Sequence, residues 1–289
     1  MANLKEIRSR IQSIGSTMQI TSAMKMVSAA KLKRAQDAIT QLRPYAVKMR
    51  EILGNLSSSL DLSENPFSHV RAEKNVLLVA ITSNRGLCGG FNNNIIKRVQ
   101  LLTRESKSNI TILPIGKKAK DAFKNSGLVD TTGALPNELE NLYGNLTFEE
   151  VSKIGDLLMD VFASAKFDRV VLVYNQFVNA ATQIVTVEQL LPITSSESNS
   201  ESNTGDYLFE PSKEEIVLDI IPKTIRIQLY KGILDSFASE HGARMTAMHK
   251  ATDNASDMQR ALKLEYNKAR QAAITNEILE IVGGAEALK

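Results

Sequence analysis

Three glycines, one cysteine and three histidines are the residues whose types and spacing bear on chemistry. Gly86-x-x-Gly89-Gly90 follows the apolar run Val76–Ile81 and precedes a helical pattern, which is where a phosphate cradle would sit. A P-loop closes on Gly-Lys-Ser/Thr, whereas Phe91 and Asn92 follow Gly90 here, and the spacing is not Gly-x-Gly-x-x-Gly either. The segment therefore reads as a structural turn, which disfavours a dinucleotide-binding enzyme. Cys88 has no histidine in a recognisable local pairing and reads as a buried structural thiol. His69, His241 and His249 do not fall at metal-ligand spacings. Glu149-Glu150 and Glu214-Glu215 read as first-turn or surface acids. No acid–base constellation emerges, so the chain does not read as an enzyme by itself, and no metal or cofactor is expected on it.

The elements that carry these residues follow from where proline is absent. All seven prolines lie between Pro44 and Pro222, and both ends have the pattern of long helices. Asn3 and Glu6 are spaced as an N-cap and its N3 partner. Leu4, Ile7, Ile11, Ile14 and Met18 recur at three-four spacing, the stripe of a narrow helix–helix seam. Arg43-Pro44 predicts a break or kink, with a second helical stretch to about Leu56. After Pro222 the chain reads as helix almost to its end, with a seam through Met248, Thr252, Ala255, Gln259, Leu262, Tyr266, Ala269, Ala273 and Asn276. These seam residues are mostly small, so a partner helix can approach closely.

Between the rods the period changes. Val76–Ile81, Ile110–Ile115, Arg169–Tyr174 and Thr182–Val187 read as strands. Ile95 to about Thr103, Lys117–Lys124 and Phe148–Ala165 read as helices, the second closed by Gly127. Alternating β and α units predict a Rossmann-like α/β domain with a mainly parallel sheet. The expected organisation is a shaft helix over 1–60, an α/β domain over 74–192, a mobile Ser/Glu/Asn-rich loop over 193–212 and a second shaft helix over 213–289. The two terminal helices are expected to pair as a long antiparallel coiled coil. The C-terminal rod is the longer, by roughly 30 Å at 1.5 Å per residue. The tip that overhangs carries Ile278, Leu279, Ile281 and Val282 and calls for a sleeve supplied by another protein.

Bulk properties bound the remaining classes. An apolar fraction of 43% supports a core, and a single cysteine excludes an internal disulfide. No apolar run reaches the ~18 residues of a membrane span, and no signal peptide is visible. The net charge of +3 conceals a strongly basic segment over residues 1–50 and an acidic one over 197–219. A basic rod seeks an acidic surface, and a coiled-coil nucleic-acid binder is the alternative reading. The basic segment lacks interleaved aromatics, with Tyr45 its only one, so nucleic acid is not the expected partner.

Two stretches and the loop between them carry a resemblance. They are Ile20-Thr21-Ser22-Ala23-Met24-Lys25-Met26-Val27-Ser28-Ala29-Ala30-Lys31-Leu32, the Arg85–Asn92 loop, and the C-terminal series Ala243–Met248, Ala251–Ala255, Tyr266–Thr275 and Glu277–Val282. In this order they resemble the γ subunit of F-type ATP synthases, here of bacterial type. Asn84 stands where that family commonly has Asp. The resemblance implies a central rotor, one copy per complex, turning inside an α3β3 hexamer and footed on the ε subunit and the c-ring. It implies torque transmission that couples proton flow to ATP synthesis or hydrolysis, with Mg-ATP and ADP held by the α and β partners. Met24, Lys25, Arg244, Gln271 and Thr275 match positions of rotor–stator contact in that family. The implied location is peripheral, on the cytoplasmic side of a bacterial inner membrane.

Overall fold

The computed structural model describes residues 4–59, 65–130, 133, 135–136, 139–144, 146–193 and 213–286, with the side chains of 50, 51, 53–59, 213–215, 217 and 286 set aside. Asn3, the Thr194–Asp206 segment and the last three residues lie outside these. Among the described residues the elements follow in the order α1 (Leu4–Ser59), β1 (Asn75–Ile81), α2 (Phe91–Glu105), β2 (Asn109–Ile115), α3 (Lys117–Phe123), a 3-10 turn (Glu140–Tyr143), α4 (Phe148–Ala163), β3 (Arg169–Phe177), β4 (Gln183–Leu191) and α5 (Lys213–Glu286). The chain divides into two compact units. One comprises residues 1–29 with 244–289, the other residues 30–243.

The first unit is two helical segments lying antiparallel. Thr21 meets Thr252 and Lys25 meets His249, so numbers rise on one helix as they fall on the other. The seam is narrow because apolar and small residues recur with a heptad period. Leu4, Ile11, Met18 and Lys25 alternate with Ile7, Ile14, Thr21 and Ser28, all buried or half-buried. On α5 the facing positions Met248, Thr252, Ala255, Gln259, Leu262, Tyr266 and Ala269 are buried or half-buried, as the spacing predicts. The expected seam stops there. Ala273 and Asn276 are exposed, as is every residue from 271 to 285. Extending the Thr21–Thr252 register, Leu4 falls opposite about residue 270, so α1 has run out at that point.

The second unit is a three-layer α/β sandwich. Its sheet has the order β2-β1-β3-β4. The first three strands are parallel, with Asn75 opposite Asn109 and Val76 opposite Arg169, and β4 runs antiparallel to β3. The alternation of β1 sends Leu77, Val79 and Ile81 to one face and Val76, Leu78 and Ala80 to the other. Phe91, Ile95 and Val99 of α2, with Ala119 and Phe123 of α3, cover the second face. Val151, Ile154, Leu158 and Phe162 of α4 cover the first, and α5 adds Ile221, Ile225, Leu229 and Ile233. Each of those four side chains is at most 0% exposed, which is worth about 1.5–3 kcal/mol apiece. The start of α5 is thus a core element of this unit.

α1 continues through Pro44, where a break or kink is expected, and α5 starts at Lys213, within the expected span 213–289, with Pro222 inside it. Pro44 is exposed, so the hydrogen bond it removes opens Thr40's carbonyl towards water, where the helix tolerates the loss. Buried residues Leu32, Ala35 and Met49 hold the apolar repeat in phase across it.

Candidate functional site

The turn at residues 82–92 is held by its own hydrogen bonds. Ser83 Oγ donates to the Arg85 carbonyl at 2.6 Å, and Asn92 Oδ1 accepts from Ser83 N at 3.0 Å. Asn92 Nδ2 donates to Ser83 Oγ at 2.8 Å and to Cys88 Sγ at 3.1 Å, and Cys88 is buried. Asn84 clamps the turn from outside, donating to the Glu140 carbonyl at 2.6 Å and accepting from Lys117 N at 3.0 Å. Gly89 has φ +58°, and Leu87 accepts a left-handed conformation at φ +63° beside it. In open α/β sheets ligands bind beyond the carboxyl ends of strands where the order reverses, here between β1 and β3. That crevice holds Asn175, whose Nδ2 donates to the Phe91 carbonyl at 3.1 Å, and Ser239 of α5, whose Oγ donates to the Asn175 carbonyl at 2.9 Å. Among the described residues no set of three or more His, Cys, Asp or Glu side chains converges as a metal site.

The five residues matched to partner contacts fall at three places. Met24 and Lys25 are half-buried on α1, and Lys25 Nζ lies 3.4 Å from His249 Nδ1. The same nitrogen is 3.4 Å from Asp253 Oδ2. It can accept from the lysine or donate to the carboxylate, not both at once. Arg244 is 7% exposed, buried within this chain. Gln271 and Thr275 are exposed one turn apart, and Thr275 Oγ1 donates to the Gln271 carbonyl at 2.9 Å. About 40 Å of helix separates Arg244 from Gln271. The residues therefore form patches along a rod, not one pocket.

Among the described residues the end of α5 carries a run of exposed aliphatics. Ile274, Ile278, Leu279, Ile281 and Val282 are 49–67% exposed on an isolated helix. Large aliphatics at that density are not stable against water without a covering surface. Upstream on α1, Ile20, Met26 and Val27 are likewise exposed, in a segment rich in Lys and Arg. Both acids among the first fifty residues are tied to cations on their own helix, Glu6 to Arg10 at 2.7 Å and Asp37 to Lys33 at 2.8 Å.

One carboxyl in the α/β unit is perturbed. Burial pushes Asp235 up to about 6, opposed by Lys231, reinforced by Glu188 and opposed again by Arg43. Glu188 is itself held by Tyr174 Oη at 2.7 Å and Gln228 Nε2 at 3.0 Å. Sequence reasoning missed this cluster and the Asn175–Ser239 contact. A buried polar residue in a continuous helix leaves no period-based signal.

The helical pair of the first unit leaves much of its surface exposed, and the second unit is an α/β sandwich with a mainly parallel sheet. Comparison with known proteins identifies the family. The ATP synthase family profile matches residues 3–288. The ATP synthase gamma chains of Flavobacterium psychrophilum and Flavobacterium johnsoniae are 60% and 59% identical, each over 100% of this chain and 100% and 99% of their own lengths. The chain belongs to the ATP synthase gamma-chain family. Among solved structures, a chain of the Tetrahymena thermophila mitochondrial ATP synthase central stalk and c-ring is 28% identical, covers 80% of this chain and 99% of its own, and has a TM-score of 0.57. A chain from the Euglena gracilis mitochondrial enzyme in rotational state 3 shares the fold at 22% identity and a TM-score of 0.66, covering 99% of this chain and 94% of its own.

Proposed function

We propose that this chain is the central-stalk rotor of a bacterial F1Fo ATP synthase. In that role residues 1–60 and 213–289 supply the shaft, and 74–192 supply the foot. The shaft turns inside an α3β3 hexamer, and the foot meets the ε subunit and the c-ring, with one copy per complex. The complex lies on the cytoplasmic side of the inner membrane, and this chain is a peripheral member of it. Among the described residues no helix is long and apolar enough to cross a membrane. Mg-ATP and ADP are bound by the α and β partners, and this chain is not catalytic.

Uninterrupted exposure from 271 to 285 is the observation that carries the geometry of this reading. A rotor works by contacting alternative states of its partners unequally, because only differential affinity shifts an equilibrium. The tip offers an apolar bearing surface for the surrounding ring. Met24, Lys25, Arg244, Gln271 and Thr275 are the proposed contacts with that ring, and the basic face of α1 suits acidic loops on it. Reconstitution with α and β subunits tests the reading. ATPase activity and rotation of a probe fixed to the foot are expected only when this chain is present. Rotation or coupled ATPase that persists without it would refute the assignment.

A further inference from the structure

The helix α5 does not stay on one side of the sheet. Ile221, Ile225, Leu229 and Ile233 lie in the core beneath it, whereas Ala243 packs against the opposite core with α2. Between these positions the helix passes over the carboxyl ends of the strands. Ser239, 0% exposed, donates to the Asn175 carbonyl at 2.9 Å on that edge. Asn175, 1% exposed, in turn donates to the Phe91 carbonyl, tying β3 to the first residue of α2. Three residues beyond Ser239, a Cβ on Gly242 would stand 3.2 Å from Ala180 Cα and 3.4 Å from the Ala180 carbonyl oxygen, so backbone approaches backbone there. Gly232 makes a looser approach to Leu172 and Tyr174, each 3.6 Å from its would-be Cβ. Upstream, Arg226 Nε donates to Asp156 Oδ1 at 2.6 Å, and Gln228 Nε2 donates to Glu188 Oε1 and to the Gln189 carbonyl, each at 3.0 Å, so polar contacts orient the first turns of the helix on α4 and β4. At the strand ends the Ser239 hydrogen bond and the close Gly242 contact orient the turns that follow.

We propose that Asn175, Ser239 and Gly242 form a rotational lock that fixes the angular phase of α5 on the α/β unit, so that torque passes between sheet and helix at this edge. They are positioning residues, and the proposal rests on the rotor reading above. Without the lock the turns of α5 beyond Gln228 lose this tie to the strand ends while the complex stays assembled.

The test uses the complete proton-pumping complex in vesicles, carrying this chain as wild type, Ser239→Ala, Ser239→Cys or Gly242→Val. ATP hydrolysis and ATP-driven proton pumping are measured in the same preparation, with subunit content and thermal melting as controls. In Ser239→Ala, hydrolysis is expected within about twofold of wild type. The equilibrium between locked and released states should shift by about fivefold, the effect of one lost hydrogen bond, and protons pumped per ATP should fall below the wild-type ratio. Ser239→Cys keeps a weaker donor and should fall between. Gly242→Val should uncouple at least as strongly as Ser239→Ala, and if it does not assemble, the two Ser239 variants decide. A wild-type ratio of pumping to hydrolysis in Ser239→Ala overturns the lock. Failure of the wild-type chain to support pumping overturns the rotor reading instead.

Discussion

Thr21 Oγ1 lies 2.8 Å from Thr252 Oγ1 across the antiparallel seam, and each hydroxyl also reaches a carbonyl on its own helix. The Met18 carbonyl is 3.1 Å from Thr21 Oγ1, and the Met248 carbonyl is 2.8 Å from Thr252 Oγ1. Two protons thus serve three acceptors. Whichever hydroxyl donates across the seam gives up its own carbonyl. Thr21→Val removes one partner and leaves Thr252 free to turn back to Met248, so the expected cost is about 0.5–1.5 kcal/mol. The double variant Thr21→Val, Thr252→Val should cost less than the sum of the singles. Thermal unfolding arranged as a double-mutant cycle checks this, and strict additivity would remove the case for a seam bond.

Truncation after Ile274 deletes Ile278, Leu279, Ile281 and Val282, which bury little in this chain. The α/β unit should keep its stability to within about 0.5 kcal/mol. Assembly with the partner ring and coupling should both weaken. Circular dichroism that reports global unfolding of the truncated chain would contradict this.

Gly116 has φ +100°, and a Cβ there would lie 2.1 Å from the Thr82 carbonyl oxygen. Thr82 N donates to the Ile115 carbonyl at 2.8 Å, and Thr82 Oγ1 accepts from Ala119 N at 2.8 Å, so Thr82 has little freedom to retreat. Gly116→Ala should therefore destabilise the α/β unit by about 3 kcal/mol or more. Urea unfolding provides the measurement, and a loss below the usual surface range would show that the turn relaxes.

Asp235 supplies a pH dependence. Its carboxyl titrates near 6 in the fold, above the ordinary value of 3.8, chiefly because it is buried. The folded state therefore holds a proton that the unfolded state has released between these values, and stability contributed by this group falls as pH rises through that window. Above about pH 6 the full cost of the buried charge is present, on the order of 2–3 kcal/mol. Asp235→Asn should stabilise the protein at pH 7.5 and lose that advantage towards pH 4. A stability difference that stays constant across this range would rule out the carboxyl as its source.

Much of this architecture is legible from residue spacing. β1 appears as an uninterrupted apolar run because both its faces are covered, and β1, β2 and β3 begin within a residue of the expected positions. β4 was harder to bound, since Ile184 and Val187 are exposed while Leu190 and Leu191 are buried, so its true end lay past the alternating part. Pro44 does not break α1: the carbonyl it leaves without a helical partner belongs to exposed Thr40, and spacing does not show which way that position faces. The seam was legible through Ala269 and then over-extended, because periodicity persists in α5 after α1 has ended. Asn175 and Ser239 carried no signal, as their pairing spans 64 residues and depends on a helix crossing the sheet edge.

That crossing also sets the order in which the protein can be finished during synthesis. The first face of the sheet is closed by Ile221, Ile225, Leu229 and Ile233, and the seam of α1 is answered at Thr252, 231 residues after Thr21. A nascent chain that has already made every strand has only α4 on one face of its sheet and still lacks the α5 part of that wall, and its first helix still lacks its mate. Closure at such separation is entropically slow, and the apolar faces stay open to other chains in the meantime. The last quarter of the message therefore decides whether the first three quarters become a folded protein or a substrate for chaperones.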